Sequence, residues 1–216
     1  MTGFCLTKLP LEIKRIMNEK KEMLEQRNTT FPVSVTEENE KRTVEGYAML
    51  FDVKSDGLDF EEVIERGALD GVIEKSDVFA LLNHNRDRGI LARSVNGKGS
   101  LTLTVDSKGL KYRFEAPHTM LGDELLENLR RNEINQSSFA FTVADGGEKW
   151  ERMKNGKWKR TISQFKRIYD VSPVYNAAYS KTTVSMRGKE QAEKELEERK
   201  EVNEEYYNNI INSLNI

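Results

Sequence analysis

From about residue 31 to residue 187 the apolar residues of this chain recur at strand spacing, interrupted every few residues by turn chemistry. Phe31 to Val35 and Thr43 to Phe51 flank the charged turn Thr36 to Lys41, a hairpin signal. Val78 to Asn83 is a short apolar strand that runs into a polar loop, Asn85 to Arg88. Ser100 to Val105 and Leu110 to Glu115 are joined by Asp106-Ser-Lys-Gly109, where glycine is free to take a positive φ. Ser137 to Val143, a hairpin around Asn155-Gly156 and Phe165 to Val171 continue the series. Helical spacing interrupts it at Glu65 to Lys75 and at Met120 to Arg131, the latter with Leu121, Leu125, Leu126 and Leu129 on one face. Many strands with few interspersed helices point to a β-barrel or another α+β domain rather than a regular βαβ alternation.

The ends read differently. Leu11 to Arg27 places Ile13, Ile16, Met17 and Leu24 near one helical face, with Pro10 suited to the first turn and Asn28-Thr29-Thr30 as the stop. Arg187 to Tyr207 is strongly helix-forming but has almost no apolar stripe, which suits a solvent-bridging or partner-dependent helix. The expected organisation is a helical appendage over 1–30, a central domain over 31–187 and a charged helical tail over 188–216. A chain of 216 residues has room for one ordinary domain with such ends.

Composition removes several classes. No apolar run approaches the ~18 residues of a membrane helix, and Met1 to Lys8 lacks the basic start and apolar stretch of a secretory signal. The single cysteine, Cys5, has no partner for an intramolecular disulfide, which suits a cytosolic protein. One Cys and two His are too few for a structural zinc site. There is no P-loop, dinucleotide fingerprint, G-x-S-x-G elbow or H-E-x-x-H, so no cofactor is expected. Asp56, Asp59, Glu61 and Glu62 read as a solvated acidic loop rather than a magnesium site. A net charge of −2 gives nucleic-acid binding no support. Its only local support is Lys154, Lys157, Lys159 and Arg160 interleaved with Trp150 and Trp158, which reads more simply as an exposed hairpin with packed Trp side chains.

Two histidines are available as a base at neutral pH. His84 closes the strand Val78-Phe-Ala-Leu-Leu82, where scaffold meets polar loop, a position open to chemistry that by itself reads first as a surface histidine capping a strand. His118, after Pro117, reads as a surface residue before a helix. In Gln136-Ser-Ser-Phe-Ala-Phe-Thr-Val143, alternation puts Ser138, Ala140 and Thr142 on one face and Ser137, Phe139, Phe141 and Val143 on the other. The Phe face must be core. The small, polar Ser138 face either packs against a neighbour or admits another chain to a nucleophilic hydroxyl. Asp170, in Ile168-Tyr-Asp-Val-Ser-Pro173, falls by strand period on the face of Ile168, away from Tyr169 and Val171. There it is either an inward carboxylate in need of a donor or an exposed edge residue.

Several short motifs occur in a telling order: Val44-Glu-Gly-Tyr-Ala48, Gly67-Ala-Leu-Asp70, Leu81-Leu-Asn-His-Asn85, Leu91-Ala-Arg-Ser94, Ser138-Phe-Ala-Phe141 and Asp170-Val-Ser-Pro-Val174. Together, over roughly Val44 to Arg187, they resemble the tailed-phage prohead protease family, serine peptidases related in fold to the herpesvirus assemblins. The resemblance implies an α+β fold built on a mixed, assemblin-like β-barrel of about seven strands with flanking helices. It implies a general base at His84, a nucleophile at Ser138 and a third catalytic group at Asp170, where the family usually has Glu. Assemblins use a second histidine as third member, and His118, preceding the serine, does not fill that place. Ser137 stands where an apolar residue is usual, and Ala140 and Ala92 stand where Gly is frequent. Arg93 lies in a segment that could line the site, supporting substrate or oxyanion, or serve as an ordinary ion-pair arginine.

By the same resemblance the substrate is the scaffolding part of a major capsid protein, and the protease itself, inside an immature phage shell in the host bacterial cytoplasm. A homodimer follows the assemblin relatives, and no membrane or nucleic-acid partner is expected. The competing class is a non-catalytic capsid-assembly protein whose helical tails bind partners and whose Ser138 is merely packed.

Overall fold

Gln136–Val143 sorts into an aromatic and a polar face as its alternation demands, and the sheets are arranged on those two faces. The computed structural model describes residues 24–29, 32–38, 41–54, 58–175, 193, 194 and 197. Among the described residues the strands are β1 (Glu25–Thr29), β2 (Ser34–Glu38), β3 (Lys41–Leu50), β4 (Glu61–Ile64), β5 (Asp77–Ala80), β6 (Ala92–Val95), β7 (Lys98–Gly99), β8 (Leu101–Val105) and β9 (Gly109–Glu115). One helix, α1 (Met120–Arg130), follows, and then β10 (Gln136–Val143), β11 (Glu148–Arg152), β12 (Trp158–Ile162) and β13 (Phe165–Val174).

These form a six-stranded sheet in the order β1-β10-β13-β5-β6-β7, a four-stranded sheet β2-β3-β9-β8 and a three-stranded sheet β11-β12-β4. The β13–β5 and β12–β4 pairs are parallel and the others antiparallel. The expected barrel is therefore not formed. Each sheet is open and ends on two different edge strands, β1 and β7 in the largest. Closure requires matched strand tilt and stagger around a full ring, and alternation within single strands carries no information on either.

The core lies between the Phe face of β10 and the inner face of the four-stranded sheet. Phe139 and Phe141 stack at 4.8 Å, and Phe165 meets both edge-on at 6.1 and 5.0 Å. They share one cluster with Val44, Ala48, Leu110, Tyr112, Phe114, Leu125 and Leu126. The two sheets approach closely where Tyr112 and Ser137 share a buried hydrogen bond of 2.8 Å. A β-carbon on Gly46 would stand 2.8 Å from the Tyr112 hydroxyl and 3.1 Å from Ser137 Oγ, so only glycine fits there. Burial raises the Tyr112 pKa, which keeps its hydroxyl neutral behind β10.

Helix α1 keeps its expected face, with Leu125 and Leu126 buried and Thr119 accepting from Gly122 N at its start. Other local expectations change. Residues 25–29 are an edge strand, not the end of a helix, because they pair with β10 and bury two charged side chains. The earlier part of that expected helix lies outside the described residues, as does the charged tail apart from Glu193, Lys194 and Glu197. Glu65 to Lys75 gives turns and a short 3₁₀ segment, Ile73–Lys75, since Gly67 and Gly71 take φ of 89° and 67°. Gly109 is needed for close approach rather than for positive φ: a β-carbon there would stand 2.0 Å from Met49 O.

Glu62 is fully buried rather than part of a solvated acidic loop, and Arg160 is 1% exposed rather than part of a basic surface patch. Arg27 donates to Glu62 through Nε at 2.6 Å and through Nη2 at 2.8 Å, and to Glu25 at 2.8 Å. Arg160 donates to Glu25 at 2.6 and 2.7 Å, to Glu62 at 2.8 Å and to Glu148 at 2.5 Å. Burial pulls the Arg160 pKa down, but Glu25, Glu62 and Glu148 together outweigh it and raise the net value. This charged cluster ties the edge strand β1 to β4 and β12 of the smallest sheet.

Candidate active site

Ser138 lies on the polar face of β10, flanked across the sheet by Asn28 of β1 and Ser172 of β13. Asp170 shares that face by regular pairing, and the strand turns irregular just beyond it. Ala140 pairs with Asp170, but its neighbour Phe141 pairs with Ile168, so one extra residue on β13 is absorbed between them. The bulge turns Ile168 into the core while Asp170 stays on the Ser138 face, which overturns the simple strand period that put the two on one face.

His84 comes to them from the end of β5. Beyond Ala80 the chain stays bonded to β13, through Leu81 N to Val171 O at 3.2 Å and Asn83 N to Pro173 O at 3.0 Å. Asn83 and His84 then take φ of 53° and 56°, a left-handed pair that folds the imidazole back over the sheet face. There Nδ1 lies 2.6 Å from Asp170 Oδ1 and Nε2 lies 2.6 Å from Ser138 Oγ. Ser172 Oγ donates to the same Asp170 oxygen at 2.7 Å. With Nδ1–H given to the carboxylate, Nε2 is bare and faces the serine hydroxyl.

Ser138 has one hydrogen and a second acceptor, the main-chain carbonyl of Arg27 at 2.9 Å. A doubly protonated ring would donate from Nε2 to Ser138 and leave the hydroxyl hydrogen to Arg27 O, whereas a neutral ring takes that hydrogen itself. Ser138 is 0% exposed and Asp170 7%, while the His84 side chain stays partly exposed, so the hydroxyl itself is closed to solvent as it stands.

The loop after His84 is pinned from outside. Asn85 accepts from Asp87 N at 3.0 Å. Arg88 pairs with Glu124 of α1, which also accepts from the Tyr175 hydroxyl at 3.0 Å. The Arg88 hydrogen bond holds the Glu124 carboxyl below its usual range, with Tyr175 adding to it. A lowered folded-state pKa contributes stability above the ordinary Glu value of ~4.3, lost as pH falls through the folded value. Glu124→Gln should therefore lower stability slightly above about pH 5 and leave it nearly unchanged in acid, where Glu124 is itself protonated, as read by melting temperature against pH.

The sequence matches the caudovirus prohead serine protease family over residues 29–197. The chain belongs to that family. It is thus a serine endopeptidase of the kind that acts in phage capsid maturation, and the non-catalytic reading gives way. Among solved structures it is similar to the capsid assembly protease of bacteriophage T4, at 11% identity and a TM-score of 0.45, covering 71% of this chain and 98% of the other. No curated protein sequence matches the chain significantly.

Of the residues singled out in the sequence, the protease brings His84, Ser138 and Asp170 into one hydrogen-bonded row. His118 is exposed before α1. Arg93 gives its guanidinium to Asp77, at 2.8 and 2.7 Å, in the manner of an ion-pair arginine. Two contributors were missed. Ser172 lies two residues from Asp170 and shares its face, a signal present in the Asp170-Val-Ser-Pro motif. The Arg27 carbonyl had no signal, because its segment read as helix. Among the described residues no cluster of His, Cys, Asp and Glu suits a metal ion.

Proposed function

We propose that the protease cleaves peptide bonds by acyl transfer, with Ser138 as nucleophile, His84 as general base and Asp170 as the orienting acid. The observation that carries this is the pair of 2.6 Å contacts on the two nitrogens of one imidazole. As Oγ attacks a peptide carbonyl, Nε2 takes its proton, and Asp170 stabilises the imidazolium through Nδ1–H. His84 then returns the proton to the leaving amine, and water repeats the sequence on the acyl-enzyme. Ser172 holds Asp170 in register. Because Ser138 is closed off, substrate must displace part of its surroundings before attack.

The substrate we assign is the scaffolding part of a major capsid protein, and the protease itself, inside the immature prohead within the host cytoplasm. The family membership supports this assignment. Co-expression with a capsid precursor tests it: wild type should shorten the precursor and Ser138→Ala should leave it full-length with the protease still folded. A precursor trimmed identically by Ser138→Ala contradicts the assignment.

A further inference from the structure

We propose that Phe79, Arg86, Arg93 and Arg167 form a substrate subsite that receives a carboxylate side chain one strand beyond Asp170. It rests on the reading of Ser138 as nucleophile. Residues paired across a sheet project on the same face. Ala140 pairs with Asp170, Asp170 with Phe79, and Phe79 with Arg93, so the polar face of β10 runs continuously onto β5 and β6. Adjacent strands lie ~4.8 Å apart, which puts the Phe79 ring beside the Asp170–His84 pair.

Two guanidinium groups converge on that ring, Arg86 at 4.2 Å and Arg93 at 4.9 Å from its centre. Arg167, next to them on β13, lies over Tyr169 at 5.3 Å. Of the three, only Arg93 has a carboxylate, Asp77. That carboxyl is held low, first by the Arg93 hydrogen bond and further by the charges of Arg167 and Arg86. Several other arginines are matched, Arg42 with Asp123, Arg66 with Asp52, Arg88 with Glu124 and Arg131 with Glu133, while Arg113 on β9 and Arg152 on β11 stand exposed and away from any such ring stack. Arg86 and Arg167 have no ion-pair partner among the described residues.

An arginine held on an aromatic ring keeps its N–H edge outward in a fixed plane, and that edge fits a carboxylate by two parallel hydrogen bonds. Arg86 is also two residues past His84, on the loop that carries the base. A polypeptide crossing Ser138 with an acidic side chain toward β5 would neutralise the excess positive charge. A basic side chain at that position would meet repulsion.

The test is a cleavage profile of the full chain on a chymotryptic peptide library, read by mass spectrometry. Wild type should enrich Asp and Glu at one fixed position from the scissile bond, by about 3- to 10-fold given the strength of a partly exposed ion pair. Arg86→Gln should reduce the enrichment, and Arg86→Glu should replace it with Lys and Arg, a reversal that a merely structural role would not produce. Arg113→Gln, an exposed arginine on β9, should keep the wild-type profile. A flat wild-type profile, or acidic enrichment kept by Arg86→Glu, overturns the subsite while loss of all cleavage in Ser138→Ala upholds the nucleophile. Cleavage that persists in Ser138→Ala, or a wild type that leaves the library intact, removes the catalytic reading and the subsite with it. Should Arg86→Glu misfold, raising salt from about 0.05 to about 0.5 M must shrink the wild-type enrichment, and enrichment insensitive to salt overturns the subsite.

Discussion

His84→Ala lowers the turnover number on a cleavable peptide by about 10⁴- to 10⁶-fold, and adding Ser138→Ala to it costs almost nothing more. The two side chains act as one unit across a 2.6 Å contact, so removing either disables proton transfer from the hydroxyl. Asp170→Asn leaves the volume unchanged but offers an amide where a carboxylate stood. It favours the wrong ring tautomer and should reduce turnover by about 10⁴-fold with little effect on KM. Steady-state kinetics on the three variants, each checked for folding by circular dichroism, decides the point. Additive losses in the double variant would mean that His84 and Ser138 serve separate roles.

Glu62→Ala should destabilise the fold by about 3–5 kcal/mol, because it strips a fully buried carboxylate from Arg27 and Arg160 and leaves two guanidinium groups short of charge. The consequence reaches the active site. Arg27 belongs to β1, and its carbonyl is the second acceptor for Ser138, so a loosened edge strand shifts Ser138 as well. Replacing Arg27 and Glu62 together with Met and Leu should cost less than the sum of the single changes, since no charge of that pair is left alone. Chemical denaturation of the single and double variants measures both effects. A Glu62→Ala protein with wild-type stability would mean that the cluster contributes nothing to holding β1.

What the sequence revealed and what it hid divide along a physical line. Gln136–Val143 was legible because its two faces differ so sharply: Phe139 and Phe141 had to be core, which left Ser138 on the other side. His84 was legible as a titratable group at the mouth of an apolar strand. The left-handed backbone that aims it was not, because Asn83 and His84 look like ordinary loop residues. Asp170 was rightly set apart from Val171 but wrongly grouped with Ile168, since the bulge between those two is set by pairing with β10 and not by β13 alone. Sheet closure, the strand at Glu25–Thr29 and the buried partnership of Arg27, Glu62 and Arg160 all depend on segments far apart in the chain. No local pattern encodes them.

The most direct measurement is the site of covalent modification by a fluorophosphonate, mapped by peptide mass under conditions in which the protein cleaves its precursor. Because Ser138 is closed off at rest, the adduct should accumulate slowly, on Ser138, and be lost in His84→Ala. An adduct on a different serine with Ser138 unmodified, or equal labelling with and without His84, would contradict the account.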